Sequence, residues 1–163
     1  MVVVDLGNLS ELNPLITKVI EMILGDSDLC KYIKYDNDSP LDNADFDSSE
    51  LVRNYIFPMP KVPSANDNAS TFINVYIRNY VPSRINRGFS IIAINIDVMS
   101  HLNLWMIDGA VRPYCIANKI DKLMKSTILN EAYSTSELDV MDWKVFSDAY
   151  HGYRLTYELV SKR

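Results

Sequence analysis

Residues 89–124 constrain the fold more than any other part of the chain, because a strand pattern is followed there by a helix pattern. The strand pattern places β-branched residues at every second position: Ile92, Ile94, Ile96 and Val98. This spacing predicts a stiff strand with one side in the core. The other side changes from apolar to polar along the strand. We therefore expect one half of it to be covered and the other half to be wet, in a central antiparallel strand.

The helix pattern begins at Arg112-Pro113, where proline suits the first helical turn. Its apolar positions fall at i, i+4, i+7 and i+8: Ile116, Ile120, Leu123 and Met124. Asp108-Gly109 is a turn signal ahead of this helix. The strand and the helix are therefore predicted to share one core.

Further patterns complete the fold class. An amphipathic helix is expected from Asn13, as its N-cap, to Gly25, which we expect to stop it in the left-handed conformation. Strands are predicted at residues 71–79, 138–145 and 153–160, with His151-Gly152 at the tip of the last hairpin. The order of elements predicts an α+β fold, in which an antiparallel sheet of about four strands is covered by two main helices on one face.

Length and composition indicate a single domain spanning residues 1–163, with an N-terminal arm at 1–12 and an extended acidic and proline-rich insertion at 36–70. The net charge of −5 argues against a protein whose main task is to bind nucleic acid. Cys30 and Cys115 are too few for a disulfide framework and are interpreted as reduced, packed thiols. No stretch has the pattern of a signal peptide or a membrane span, so we expect a location inside a cell or in a particle assembled there.

Two clusters of like charge stand out. The acidic cluster contains no Lys or Arg and consists of Asp36, Asp38, Asp42, Asp45, Asp47 and Glu50. Its spacing invites a calcium site, but the glycine and glutamate of an EF-hand loop are missing. The basic cluster consists of Arg78, Arg84 and Arg87. We hypothesise that the two clusters meet across neighbouring copies of the chain; the alternative is that both are simply solvated.

No catalytic motif is present in the sequence: the five glycines are scattered singly, and no nucleophile has a base at a usable spacing. His101 lies near Asp97, which would suit a base and its orienting carboxylate, although a histidine at a strand end is the ordinary alternative. We therefore predict no enzyme activity, no cofactor and no metal site.

Aromatic residues are more informative than the acids. The chain has ten tyrosines and two tryptophans, residue types that are enriched at protein interfaces. Those expected on outer faces, in loops or at a helix start are Tyr76, Tyr80, Trp105, Tyr114 and Tyr150. Tyr76 and Trp105 are the candidates for an interface; the alternative is that the aromatic residues fringe one core.

The order of elements over residues 14–160 resembles the neck proteins of tailed bacteriophages, in particular the tail-terminator or tail-completion group. The resemblance rests on the amphipathic helix that ends at Gly25, the two strands at 71–79 and 89–100, and the closing strand from Tyr153. It also includes a strand ending in Asp97-Val98, a hydrophobic turn with Trp105, and the helix with Ile116, Ile120 and Leu123 inward. The insertion at 36–70 departs from the shorter members of the group.

This resemblance implies a structural virion protein. Such a protein forms a homo-oligomeric ring, a hexamer, that terminates the tail tube and joins it to the head–tail connector protein. Its partners would be its own copies, the tail-tube protein and the connector, with transient passage of DNA through the channel and no membrane. The alternatives are another head-completion or tail ring protein of the same fold, or a small intracellular enzyme or ligand-binding domain around His101 and Asp97.

Overall fold

The computed structural model describes residues 9–64, 68–82, 89–127, 129 and 136–162. The helices are α1 (Leu12–Leu24), α2 (Ser27–Lys34) and α3 (Arg112–Ser126). The strands are β1 (Ile56–Phe57), β2 (Thr71–Pro82), β3 (Phe89–His101), β4 (Met106–Ile107), β5 (Ala110–Val111), β6 (Glu137–Val145) and β7 (Tyr150–Lys162). Single 3₁₀ turns occur at Leu9–Glu11, Pro40–Asp42, Ser48–Leu51 and Leu102–Leu104.

The main sheet has five strands in the order β1-β2-β3-β7-β6, and β4 and β5 form a separate small hairpin. The four long strands pair antiparallel with one another, whereas the short strand β1 runs parallel to β2. The predicted α+β class is confirmed, and β3 is central as expected. The short parallel strand β1, which lies in the insertion, was not predicted.

The core lies between the sheet and the three helices. Every residue of the predicted β3 core face is fully buried, in one apolar cluster with the inward residues of α1, α2 and α3. On α3, Ile116, Ile120 and Met124 are buried while Leu123 is partly buried. Cys30 and Cys115 are both unpaired, and the buried Cys30 thiol donates to the Ile23 carbonyl at 3.4 Å.

The opposite face of the sheet has three zones. At one end Phe57, Phe72, Met99 and Tyr150 form a second apolar cluster. In the middle Asn95 and Asp97 are buried beneath polar side chains, and at the other end Ile91 is 39 % exposed. The covered half of this β3 face is therefore mainly its polar half, because neighbouring strands supply hydrogen-bonding partners there.

Three local predictions were wrong. Asn13 is not the N-cap, because the 3₁₀ turn at Leu9–Glu11 runs directly into α1. Gly25 has a right-handed φ of −77°, because the Asp26 carboxylate caps α2 at once by accepting from the Leu29 N–H at 2.9 Å. His151-Gly152 lies inside β7 rather than at a hairpin tip.

The insertion is folded against the domain. Phe57 is buried against Phe72, with ring centroids 6.2 Å apart, whereas Met59 is 54 % exposed. Of the predicted arm, residues 1–8 lie outside the described residues, Leu9–Glu11 form the 3₁₀ turn and Leu12 begins α1. None of the helices in the described ranges is long and apolar enough to cross a membrane.

Candidate assembly interface

Five aromatic residues form one continuous surface at the end of the sheet where β3 runs into the 3₁₀ turn. We define the aromatic surface as Trp105, Tyr114, Trp143, His151 and Tyr153. The Tyr153 ring lies 6.3 Å from the Trp105 ring and 5.3 Å from the Tyr114 ring, between centroids. Trp143 is the cross-strand neighbour of Tyr153 and meets the His151 ring edge-on at 5.7 Å.

Local structure explains how each ring is held. Trp105 follows the 3₁₀ turn, and its indole N–H donates to the Ser100 carbonyl at 3.2 Å. The β4–β5 hairpin returns the chain through Gly109, whose φ of +71° favours glycine. Tyr114 then lies in the first turn of α3. The aromatic surface is therefore built from a loop, a helix start and the two consecutive strands β6 and β7, which follow much later in the sequence.

Much of this surface faces solvent. Tyr114 is 51 % exposed, Trp143 is 57 % exposed, and the flanking Met106 is 69 % exposed. The Tyr153 hydroxyl donates to the Tyr114 hydroxyl at 2.8 Å, and this hydrogen bond raises the pKa of Tyr153 to about 12. Tyr153 is therefore uncharged at neutral pH, which suits burial against another protein.

The aromatic surface adjoins the open edge of the sheet. Among the described residues β6 pairs only with β7, so its outer edge has no partner strand. Met141, Trp143 and Val145 alternate along β6 and are all exposed, at 37 %, 57 % and 53 %. Asp142 and Lys144 occupy the other face, with their charged groups 3.8 Å apart.

Half of the acidic cluster is already paired or hydrogen-bonded within the chain. Asp45 pairs with Lys31 at 2.8 Å, and Glu50 pairs with Lys34 at 2.5 Å. Asp47 accepts from the Ser49 backbone N–H at 3.0 Å. Asp36, Asp38 and Asp42 are solvent-exposed. Fewer carboxylates are thus available for a neighbouring copy than the sequence indicates.

Arg112 anchors the segment that leads into this cluster, a role that the sequence analysis missed. The residue is 1 % exposed. Its guanidinium donates to the carbonyls of Leu104, Tyr32, Tyr35 and Asn37 at 2.6–2.9 Å. Burial lowers its pKa, and Asp36 and Asp38 oppose that effect. One buried cation therefore joins the end of α2, the acidic segment and the turn that carries Trp105.

Of the basic cluster, Arg78 is exposed on β2, whereas Arg84 and Arg87 lie outside the described residues. The hypothesis that the basic and acidic clusters meet between copies therefore stays a prediction. Among the described residues, no ion pair joins Arg78 to the acidic cluster within one chain.

The structure gives His101 and Asp97 separate partners, which contradicts the alternative of a base and its orienting carboxylate. Asp97 is 1 % exposed and accepts from the Arg154 guanidinium at 2.7 and 3.1 Å, and from the Tyr76 hydroxyl at 3.2 Å. The His101 Nδ1 instead accepts from the Asn103 backbone N–H at 3.2 Å. Four residues along one strand separate the two side chains by about 13 Å, since a strand rises about 3.3 Å per residue. Tyr76 thus belongs to a polar network on the sheet face, away from the aromatic surface.

In the part of the chain that the structure describes, no three His, Cys, Asp or Glu side chains are grouped so that they could hold a metal ion. Comparison with known families matches residues 26–159 to the model described as YomW. The chain belongs to the YomW family. This family is associated with bacteriophages. No curated protein sequence matches the chain.

The YomW match begins at Asp26 and so runs from the start of α2 into β7. It includes every residue of the aromatic surface and of the β6 edge, whereas α1 lies ahead of it. Both features therefore lie within the segment that matches the family.

Sequence reasoning found part of the aromatic surface. It singled out Trp105 and Tyr114, but it did not identify Trp143, His151 and Tyr153 as members of the surface. It also placed Tyr150 outside the core, and this was wrong, because Tyr150 is fully buried. The sequence signal for Trp143 was the alternation of apolar Met141, Trp143 and Val145 with charged Asp142 and Lys144. This alternation holds only in the regular part of β6, because a register shift between Leu138 and Val140 interrupts the period of two.

Proposed function

We propose that this YomW family member is a structural subunit of a phage particle. In this proposal it forms a homo-oligomeric ring in the neck, where it terminates the tail tube and joins it to the head-side connector while leaving a channel for DNA. The phage association of the family supports the class of protein. The resemblance in the order of elements to tail-terminator proteins supports the position in the neck.

The aromatic surface is the observation that carries the proposal. Tryptophan and tyrosine dominate the binding energy of protein interfaces, since they bury a large area at a small cost in side-chain entropy. Here two exposed rings, Tyr114 and Trp143, stand at either side of the partly buried Tyr153. Leu102 and Met106, which lie on either side of Trp105 in the chain, are exposed as well. Such an area favours a protein partner over solvent.

Charge is consistent with a DNA channel. A protein that neutralises many phosphates holds DNA tightly. This chain has a net charge of −5, and Asp36, Asp38 and Asp42 are exposed. A ring of such subunits would let DNA pass rather than retain it.

The test is to add the purified chain to polymerising tail-tube protein, and then to look for rings at the tube ends and measure tube lengths by electron microscopy. We expect closed rings that cap the tubes. Tyr114→Glu places a charge in the aromatic surface and is expected to abolish both results. Met59→Glu, which replaces a side chain of matched exposure elsewhere, is the control.

Binding to connector protein but not to tail tube would instead favour the alternative of a head-completion ring. A chain that forms no ring and binds neither protein would contradict the proposal.

A further inference from the structure

We propose that two copies of this chain pair through the outer edges of their β6 strands, antiparallel and centred on Trp143, before the subunit enters a particle. The proposal goes beyond the neck function and does not rest on it. An exposed strand edge presents a row of unpaired N–H and C=O groups and so acts as a template for another strand. The occupant of this edge is identified from the sequence of the edge itself.

Backbone N–H and C=O groups of β6 point alternately towards β7 and away from it. The Phe146 N–H donates to the Tyr150 carbonyl at 3.0 Å, so Phe146 faces β7. Backbone groups alternate in an antiparallel strand, and the register is regular from Val140 to Val145. The N–H and C=O groups of Met141, Trp143 and Val145 therefore point outward, away from β7. These three residues are the ones able to hydrogen-bond to an added strand.

Charge then selects the register. If a two-fold axis passes through Trp143, Asp142 lies opposite Lys144 of the second copy, and Lys144 lies opposite its Asp142. These positions form the non-hydrogen-bonded pairs, in which side chains approach most closely. Centring the pair on Asp142 would instead oppose two aspartates, and centring it on Lys144 would oppose two lysines. The edge is thus complementary to itself in one register.

The apolar face agrees with the same register. Trp143 lies opposite Trp143 of the second copy, and Met141 lies opposite its Val145. All three side chains are more than one third exposed in the single chain. Pairing would cover them and would satisfy the outward backbone groups at the same time.

This contact is isologous, since the same strand is used by both copies. A neck ring meets different neighbours on its two faces and so needs head-to-tail contacts. The β6 pair is therefore a form of the free subunit, which separates when a ring closes. Tyr114 lies outside the β6 contact, so Tyr114→Glu tests the ring whereas substitutions at Asp142 and Lys144 test the pair.

The experiment uses two charge reversals and their mixture. Asp142→Lys gives an edge with two lysines, and Lys144→Asp gives an edge with two aspartates. Each variant alone opposes like charges, so we expect its dimer dissociation constant to rise by about tenfold or more, since two favourable cross-strand pairs become two pairs of like charge. Mixed together, the two variants are complementary, and native mass spectrometry should recover a heterodimer. Lys18→Asp and Asp42→Lys, reversals at exposed positions elsewhere, are the controls.

Cysteine cross-linking checks the register independently of affinity. Trp143→Cys brings two cysteines opposite each other with Cα atoms about 5.5 Å apart, within disulfide range. Met141→Cys places them about 13 Å apart, since four residues separate them along the strand. We expect a disulfide-linked dimer from the first variant only. The proposal is overturned if the parent chain is monomeric, if the mixture forms no heterodimer, or if Met141→Cys cross-links as readily as Trp143→Cys.

Discussion

Ile94 lies at the centre of β3, fully buried between the neighbouring strands and the helices. Ile94→Ala should lower the free energy of unfolding by about 2–5 kcal/mol, because it removes buried methylenes and leaves a cavity. Urea unfolding measures the change. Ile91→Ala is the matched control on the exposed end of the same strand and should cost far less. A loss below about 1 kcal/mol at Ile94 would show that this face is not the packed one.

Gly152 shows a close approach between β7 and β3. A Cβ atom at this position would lie 1.8 Å from the Val98 carbonyl oxygen, so one of the strands must move to admit it. Gly152→Ala should therefore destabilise the chain by about 1–3 kcal/mol, the usual cost of overpacking. Thermal unfolding followed by circular dichroism is the measurement.

Gly25→Ala provides the comparison for that substitution. Its Cβ would meet nothing nearer than 3.5 Å, and its φ is right-handed. Here alanine should be neutral or stabilising by up to about 1 kcal/mol, since it restricts the unfolded chain. Equal effects at the two glycines would contradict the close approach at Gly152.

At the scale of elements, α3 begins with the residue that holds the acidic segment in place. Replacing Arg112 with Met keeps much of the side-chain volume but removes the donors to four backbone carbonyls. We expect a loss of roughly 3 kcal/mol or more, since each buried acceptor left without a donor costs about 1–3 kcal/mol.

Hydrogen exchange would locate the effect of Arg112→Met. Residues 35–50 and the turn that carries Trp105 should exchange faster, while the centre of β3 should change less. Lys122→Met, a loss of positive charge at an exposed position of the same helix, is the control. Uniform exchange changes across the sheet would show that Arg112 serves the whole core rather than this segment.

Periodicity predicted the main elements because burial imposes it directly. The β3 face with Ile94 and the α3 face with Ile116 repeat at the periods that one-sided burial requires. Predictions failed where a residue type that is typical of one structure serves another, and where an element is too short to show a period. Gly152 signals a turn by composition, but its lack of a side chain serves the contact with Val98. β1 has only two residues and no period to read.

The aromatic surface was only partly predictable for a different reason. Tyr114 and Trp105 adjoin local signals, a helix start and an apolar loop. Trp143 and Tyr153 join them only through the strand order, in which β7 lies between β3 and β6. That order depends on long-range pairing, which no local pattern encodes. The Arg112 contacts likewise join positions more than seventy residues apart.

For the whole molecule, the charge hypothesis gives a prediction that separates two modes of assembly. If the basic and acidic clusters meet between copies, reversing Arg84 and Arg87 to glutamate should weaken assembly most at low salt, where screening is least. Light scattering across a salt series measures this. The pairing of Asp45 with Lys31 and of Glu50 with Lys34 limits the expected effect.

The same salt series on Tyr114→Ala is the contrasting arm. This variant removes an apolar contact without adding a charge, so its effect should depend weakly on salt. Assembly of the double arginine variant equal to that of the parent at every ionic strength would remove the charge clusters from the interface and leave the aromatic surface as the candidate.

The far edge of the sheet determines whether strand pairing can continue. β1 covers only Ile73 and Asn74 of β2, and beyond them β2 carries a bulge at Arg78 and ends at Pro82. Short edge strands, bulges and proline each disfavour the addition of a further strand. In the described part of the main sheet, two sheets joined at β6 would therefore keep only the protected β1–β2 edge at each far side. Assembly by strand addition would stop at two copies. A chain made in large amounts can therefore expose one unpaired strand edge without forming fibres.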